Sequence, residues 1–135
     1  MARTVVEVDD EPGIVKMVES RLKASGYGVL TATDGAEGLR LCQLYKPDVA
    51  VLDVMMPGVA GGDVAHAMSI DPALRHIPVI FLTALVKRVV GDPFYDAYRN
   101  GPVGGCHFLA KPFKANELLD MLAKVLDAIP RETSR

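Results

Sequence analysis

Asp9, Asp10, Asp53, Thr83 and Lys111 each stand at the end of a short apolar run. Asp9 and Asp10 follow Val5–Val8, and Asp53 follows Val49–Leu52. Thr83 follows Val79–Leu82, and Lys111, with Pro112 behind it, follows Phe108–Ala110. Carboxylates drawn together repel one another, and protonation or a bound cation relieves them. Hard oxygen donors favour Mg²⁺, which takes one or two carboxylates and keeps waters that a phosphate can displace. Asp10 and Asp53 are the expected direct ligands with the backbone carbonyl of Met55, and Asp9 is expected to act through water. An aspartate beside such a metal can attack phosphorus and form an acyl phosphate. Asp53, at the end of the central strand, is best placed for it. Phosphoryl transfer rests mainly on positioning and on neutralising the equatorial oxygens. The Lys111 ammonium and the Thr83 hydroxyl supply donors for that.

Apolar runs this short, separated by stretches of helical periodicity, predict strands of a parallel sheet. In an open parallel sheet the ligand crevice lies at the carboxyl ends of the strands, which is where these residues fall. Ile14, Val18 and Leu22 recur at helical spacing after the first strand, and Ser25-Gly26 is the expected stop. Tyr27–Ala32 reads as a second strand, and Asp34 with Glu37 resembles a capping box opening a helix that Pro47-Asp48 stops. A Pro- and Gly-rich loop, Met55–Gly62, leads to a short helix with Val64, Ala65 and Met68, ended by Asp71-Pro72. Ile77–Leu82 is the fourth strand, and Leu118, Leu122, Val125 and Ile129 trace the face of a last helix with Glu117 in its first turn. Between Thr83 and Lys111 the residues Gly91, Pro93, Gly101, Pro102, Gly104 and Gly105 cannot share one regular helix. A helix of about two turns, capped by Asp92 and ended by Asn100-Gly101, is expected there. Five strands alternating with five helices predict an α/β, doubly wound sandwich.

The chain has 135 residues, half of them apolar, which suits one domain with its own core. Residues 1–130 are the expected domain and 131–135 a polar tail, with no room for a second domain. A net charge of −2 argues against direct nucleic-acid binding. Cys42 and Cys106 lack disulfide or metal-site spacing and predict reduced, buried thiols. No signal peptide precedes the first strand and no apolar run reaches the ~18 residues of a membrane span. The expected location is the cytoplasm, with no membrane partner. His66, His76 and His107 show no ligand spacing.

The strings VVEVDDEP (Val5–Pro12), VLDVMMPG (Val51–Gly58), IFLTA (Ile80–Ala84) and FLAKPF (Phe108–Phe113) together resemble receiver domains of two-component response regulators, of stand-alone type. The resemblance implies a flavodoxin-like parallel sheet in the order 2-1-3-4-5, a fold for which a receiver is a standard example. It implies that Asp53 is the phosphoacceptor, Asp9 and Asp10 the acidic metal pair, and Lys111 the phosphate-binding lysine. Thr83 would be the switch hydroxyl and Phe108 the switch aromatic. A cis bond before Pro112 would help aim Lys111. The implied partner is a sensor histidine kinase or histidine phosphotransfer protein, with a downstream protein unnamed and a phosphorylation-dependent dimer among the outputs. The face formed by the fourth helix, fifth strand and fifth helix would carry the change.

Several residues depart from that pattern. Glu7 lies within the first strand where the family carries an aliphatic residue, and a Lys or Arg at the sheet's edge is its expected partner. Ala60 replaces a common Asp. Met55 and Leu85 are apolar beside the path of the hydrolytic water, which would slow loss of the phosphoryl group. The Thr83–Lys111 interval is longer than usual by about six residues, on the family's output surface, where loops tolerate insertions. An FMN-binding protein of the same fold would need a phosphate loop where this chain has Asp9-Asp10-Glu11. An aspartyl phosphohydrolase would need a second acid and a covering domain. A receiver-like interaction module without phosphorylation, or a phosphate shuttle in a relay, are the remaining alternatives.

Overall fold

The computed structural model describes residues 2–56, 58–83 and 106–127. Strands β1 (Thr4–Val8), β2 (Gly28–Ala32), β3 (Val49–Asp53), β4 (Val79–Thr83) and β5 (Cys106–Ala110) pair in parallel in the order β2-β1-β3-β4-β5. Helices α1 (Pro12–Ala24), α2 (Gly35–Tyr45), α3 (Gly61–Ser69) and α4 (Ala115–Asp127) cover the two faces. The expected helix opening at Asp92, the end of the last helix at Ile129, the tail 131–135 and Leu85 lie outside the described residues. Among the described residues, no helix is long and apolar enough to cross a membrane.

The period of two along each strand sorts the core into halves. Val5, Val49, Val51, Ile80 and Leu82 pack with Val18 and Leu22 of α1 and with Leu118, Leu122 and Val125 of α4. Val6, Val8, Ala50, Leu52, Val79 and Phe81 turn the other way, against Leu41 and Cys42 of α2 and Val64 and Met68 of α3. β1, β3 and β4 are interior strands buried on both faces, which is why they read as apolar runs, broken in β1 only by Glu7. Burial pushes the Cys42 thiol up to about 12, so it is inert packing. Cys106, on edge strand β5, is only half-buried, and neither cysteine is in a disulfide. His66 and His76 are exposed, and His107 is half-buried with its pKa lowered by burial.

Helix ends follow local chemistry. Gly26, just past α1, adopts a φ of 96°, the left-handed conformation expected after Ser25. Asp34 caps α2 by accepting from the Glu37 N–H at 2.8 Å. The predicted box is not reciprocal, because the Glu37 carboxylate takes both Arg40 Nε and Nη2 at 2.9 Å instead. At α3 the asymmetry is reversed. Asp63 accepts from the Ala60 N–H, but Ala60 at the N-cap has no side-chain oxygen to return a bond. Its extended backbone already suits a capping residue. Ala60→Ser is expected to stabilise the fold by about 1 kcal/mol, read as a higher urea midpoint with an unchanged slope.

Candidate functional site

The same alternation that sorts the core aims the polar strand ends. Asp9 continues the Val5–Glu7 side of β1, Asp53 the Val49–Val51 side of β3, and Lys111 the Leu109 side of β5. These three therefore meet at the carboxyl edge on the α1 and α4 side. Thr83 continues the Val79–Phe81 side of β4, towards the opposite face. Backbone pairing locks the ends together: the Lys111 N–H donates to the Thr83 carbonyl at 2.9 Å, and the Val54 N–H to that of Leu82 at 3.0 Å. The Lys111–Pro112 bond is cis, as the resemblance implied.

Lys111 is the centre of charge. Its Nζ lies 2.9 Å from Asp9 Oδ2, 3.2 Å from Asp53 Oδ2 and 3.2 Å from Glu11 Oε1. The Asp9 contact is the shortest, yet it misses hydrogen-bond alignment and leaves Oδ2 buried without an aligned donor. At that distance the attraction of opposite charges dominates, so we treat it as an ion pair. Burial alone would lower the Lys111 pKa, but Asp9 above all, with Asp53 and Glu11, holds it above the ordinary lysine value. Asp53 is almost fully buried, and its Oδ1 accepts from the Met55 N–H at 3.2 Å. Burial first, and then the charge of Asp9, push its pKa up to about 6, against the opposing pull of Lys111 and the Met55 N–H.

Asp9, Asp10, Glu11 and Asp53 each offer an oxygen within 4.8 Å of the others, while among the described residues a single ammonium faces them. Excess negative charge, an all-oxygen donor set and the unaligned Asp9 Oδ2 suit a hard divalent cation. Met55, two residues past Asp53, is 63% exposed. Thr83 is buried. Phe108 is half-buried and stacks on Phe81, two residues before Thr83 on the same side of β4, with ring centroids 5.3 Å apart.

Glu7 corrects an expectation. β1 has β2 on one side and β3 on the other, so Glu7 lies between Thr31 and Val51. It is fully buried, and among the described residues neither carboxylate oxygen has a hydrogen-bond partner. No Lys or Arg pairs with it among the described residues. It lies two residues below Asp9 on the same face of the strand. Burial, followed by repulsion from Asp9, Glu19 and Asp53, pushes its pKa up to about 8. At neutral pH the group is mostly protonated.

Two residues important to the site carried no role in the sequence reading. Glu11 is the third carboxylate on Lys111, and its only signal was its place in the acidic run after β1. Gly61 lies so close to the Asp53 carbonyl that a side chain there would collide with it. The Gly61-Gly62 pair hinted at such an approach.

Residues 5–123 match the family model for the response regulator receiver domain. The chain is 38% identical over 112 residues to the response regulator PleD of Caulobacter vibrioides, covering 83% of this chain and 23% of PleD. It is 31% identical over 127 residues to the polar-differentiation response regulator DivK of Brucella anthropi, covering 93% of this chain and 98% of DivK. Among solved structures, the chemotaxis response regulator CheY4 of Vibrio cholerae superposes with a TM-score of 0.82 at 32% identity, over 93% of this chain and 100% of that one. A parallel sheet in this order with an acidic carboxyl edge defines a class of signalling domain, and the matches say which. The chain belongs to the response regulator receiver domain family of two-component systems. It spans less than half the length of relatives such as PleD and the Bacillus subtilis PhoP, of which it covers 46%.

Proposed function

We propose that Asp53 accepts a phosphoryl group from the phosphohistidine of a sensor histidine kinase or a histidine phosphotransfer protein, in a Mg²⁺-dependent reaction catalysed by this chain. The observation that carries the reading is Asp53 at the end of β3, its Oδ2 3.2 Å from Lys111 Nζ and its Oδ1 fixed by the Met55 N–H. A carboxylate oxygen of Asp53 attacks phosphorus, an O–P bond forms, and the P–N bond breaks with its electrons leaving on the imidazole nitrogen. Lys111 takes one equatorial oxygen and the Thr83 hydroxyl another. Mg²⁺, held by Asp10, Asp53 and the Met55 carbonyl, with Asp9 acting through water, would neutralise charge on a further oxygen.

The donor has an approach on the α1 side. A groove of about 400 Å³, lined by Glu11, Ile14, Met17, Lys111, Pro112 and Phe113, opens beside the Lys111 side chain. Its lining is mostly apolar side chains and hydrocarbon stems, which suits a helix of the donor more than a free anion. On phosphorylation Thr83 moves toward the phosphoryl group and Phe108 turns into the space it leaves. That biases a two-state output surface on the β5 and α4 side, for a downstream protein or a second copy of the chain. Residues 1–130 act as this receiver, and nothing in the site requires nucleic acid or membrane.

The test is incubation with phosphoramidate, with and without Mg²⁺, followed by intact-mass spectrometry and peptide mapping. Mg²⁺-dependent gain of one phosphoryl group on the Asp53 peptide is expected, and no gain at any Mg²⁺ concentration would overturn the reading. The exposed Met55 side chain cannot orient a hydrolytic water by hydrogen bonding. Met55→Asn is therefore expected to shorten the lifetime of the acyl phosphate several-fold, measured as phosphate release after donor removal.

A further inference from the structure

We propose that Glu11 is a positioning residue for Lys111, a latch that holds the ammonium at rest and has to release it before it can clamp the phosphoryl group. The inference rests on the phosphoacceptor reading. An ammonium has three N–H bonds, and Lys111 has three carboxylate neighbours, Asp9, Asp53 and Glu11. Glu11 and Asp53 each take one of those bonds, and the ion pair with Asp9 holds the ammonium from a third side, so at rest it faces carboxylates and not an incoming phosphoryl oxygen. Two of these partners are taken up by the reaction itself: Asp53 receives the phosphoryl group, and Asp9 belongs to the cation site. Glu11 is the one whose contact with Lys111 competes with the product and to which the phosphoryl transfer proposed above assigns no part.

The geometry suits a latch. Glu11 is the N-cap of α1, with Pro12 behind it, and its N–H donates to Asp9 Oδ1 at 2.9 Å. Its backbone is thus tied to the site while its carboxylate reaches across to Lys111 from the rim. The Glu11 side chain is 60% exposed, against 14% for Lys111. Water can take over the Glu11 carboxylate on release, so opening is inexpensive, whereas Lys111 has only the interior of the site to turn to. Once the phosphoryl group is in place, its negative charge opposes the return of Glu11.

The test compares wild type, Glu11→Gln and Glu11→Asp, each with phosphoramidate at saturating Mg²⁺, by time-resolved intact mass. Asp keeps the charge but is one methylene shorter and loses the contact. Both variants are expected to phosphorylate several-fold faster than wild type. If Glu11→Gln is no faster, the latch is wrong. If Glu11→Gln is faster while Glu11→Asp matches wild type, repulsion of the donor by charge replaces it. A second measurement needs no phosphorylation: Tm in EDTA for Glu11→Gln, Lys111→Met and the double variant. The latch expects Glu11→Gln to lower Tm when Lys111 is present and not when it is absent, and additive shifts would overturn it. Failure of wild type to take up phosphate would instead sink the phosphoacceptor reading, and the latch with it.

Discussion

Glu7→Val should stabilise the metal-free protein strongly, and by more at high pH than at low. Burial, and after it the Asp9 charge, push the Glu7 carboxyl from an ordinary 4.5 up to about 8 in the fold, and among the described residues it has no hydrogen-bond partner. A folded pKa above the unfolded one means that the native state holds the proton more tightly. Stability from this group is fully present below pH 4.5 and is lost as pH rises through about 8. At about 1.4 kcal/mol per pKa unit, the loss across that window is on the order of 3–5 kcal/mol. Valine removes the titrating group and fits a strand position flanked by Thr31 and Val51. Urea unfolding in EDTA at pH 5 and pH 8.5 would measure it. The gap between Glu7→Val and wild type should widen by several kcal/mol from the first pH to the second. A constant gap would mean that Glu7 finds a partner in solution.

Much of this arrangement was legible in the sequence for a definite reason. Interior parallel strands are buried on both faces, so β1, β3 and β4 appear as apolar runs and the first polar residue marks the rim. β5 was read only from Phe108 because, as an edge strand, it carries His107 and Cys106 and blurs the run. Side-chain choices between competing partners were not legible. Glu37 chose Arg40 over the helix end because a guanidinium offers two parallel bonds where one N–H offers one. The Glu11–Lys111 contact joins residues 100 positions apart and depends on the path of a long side chain, which no local pattern encodes. The basic partner expected for Glu7 is missing among the described residues, because Lys111, the cation at that end of the sheet, is engaged by Asp9, Glu11 and Asp53 at the rim above it.

Asp53→Asn should abolish acyl-phosphate formation and at the same time stabilise the metal-free protein. An amide is no nucleophile toward phosphorus. Asp9 cannot stand in for it, since its Oδ2 is buried 2.9 Å from Lys111 and its Oδ1 is held by the Glu11 N–H. Burial and the Asp9 charge raise Asp53 from 3.8 to about 6, so its stabilising contribution is complete below pH 3.8 and lost as pH rises through about 6. Asparagine carries no such loss, and Lys111 keeps Asp9 and Glu11 as partners. The variant should therefore gain about 1–3 kcal/mol over wild type at pH 7.5 in EDTA, and little at pH 4. Mg²⁺ should narrow that gap. Wild type, with the full oxygen donor set, gains about 1.4 kcal/mol at ten times its Kd, while the variant gains less. Stoichiometric labelling of Asp53→Asn would place the phosphoryl group elsewhere. Equal stabilisation of both chains by Mg²⁺ would remove Asp53 from the cation site and leave it a nucleophile only, so labelling and melting curves test its two roles separately.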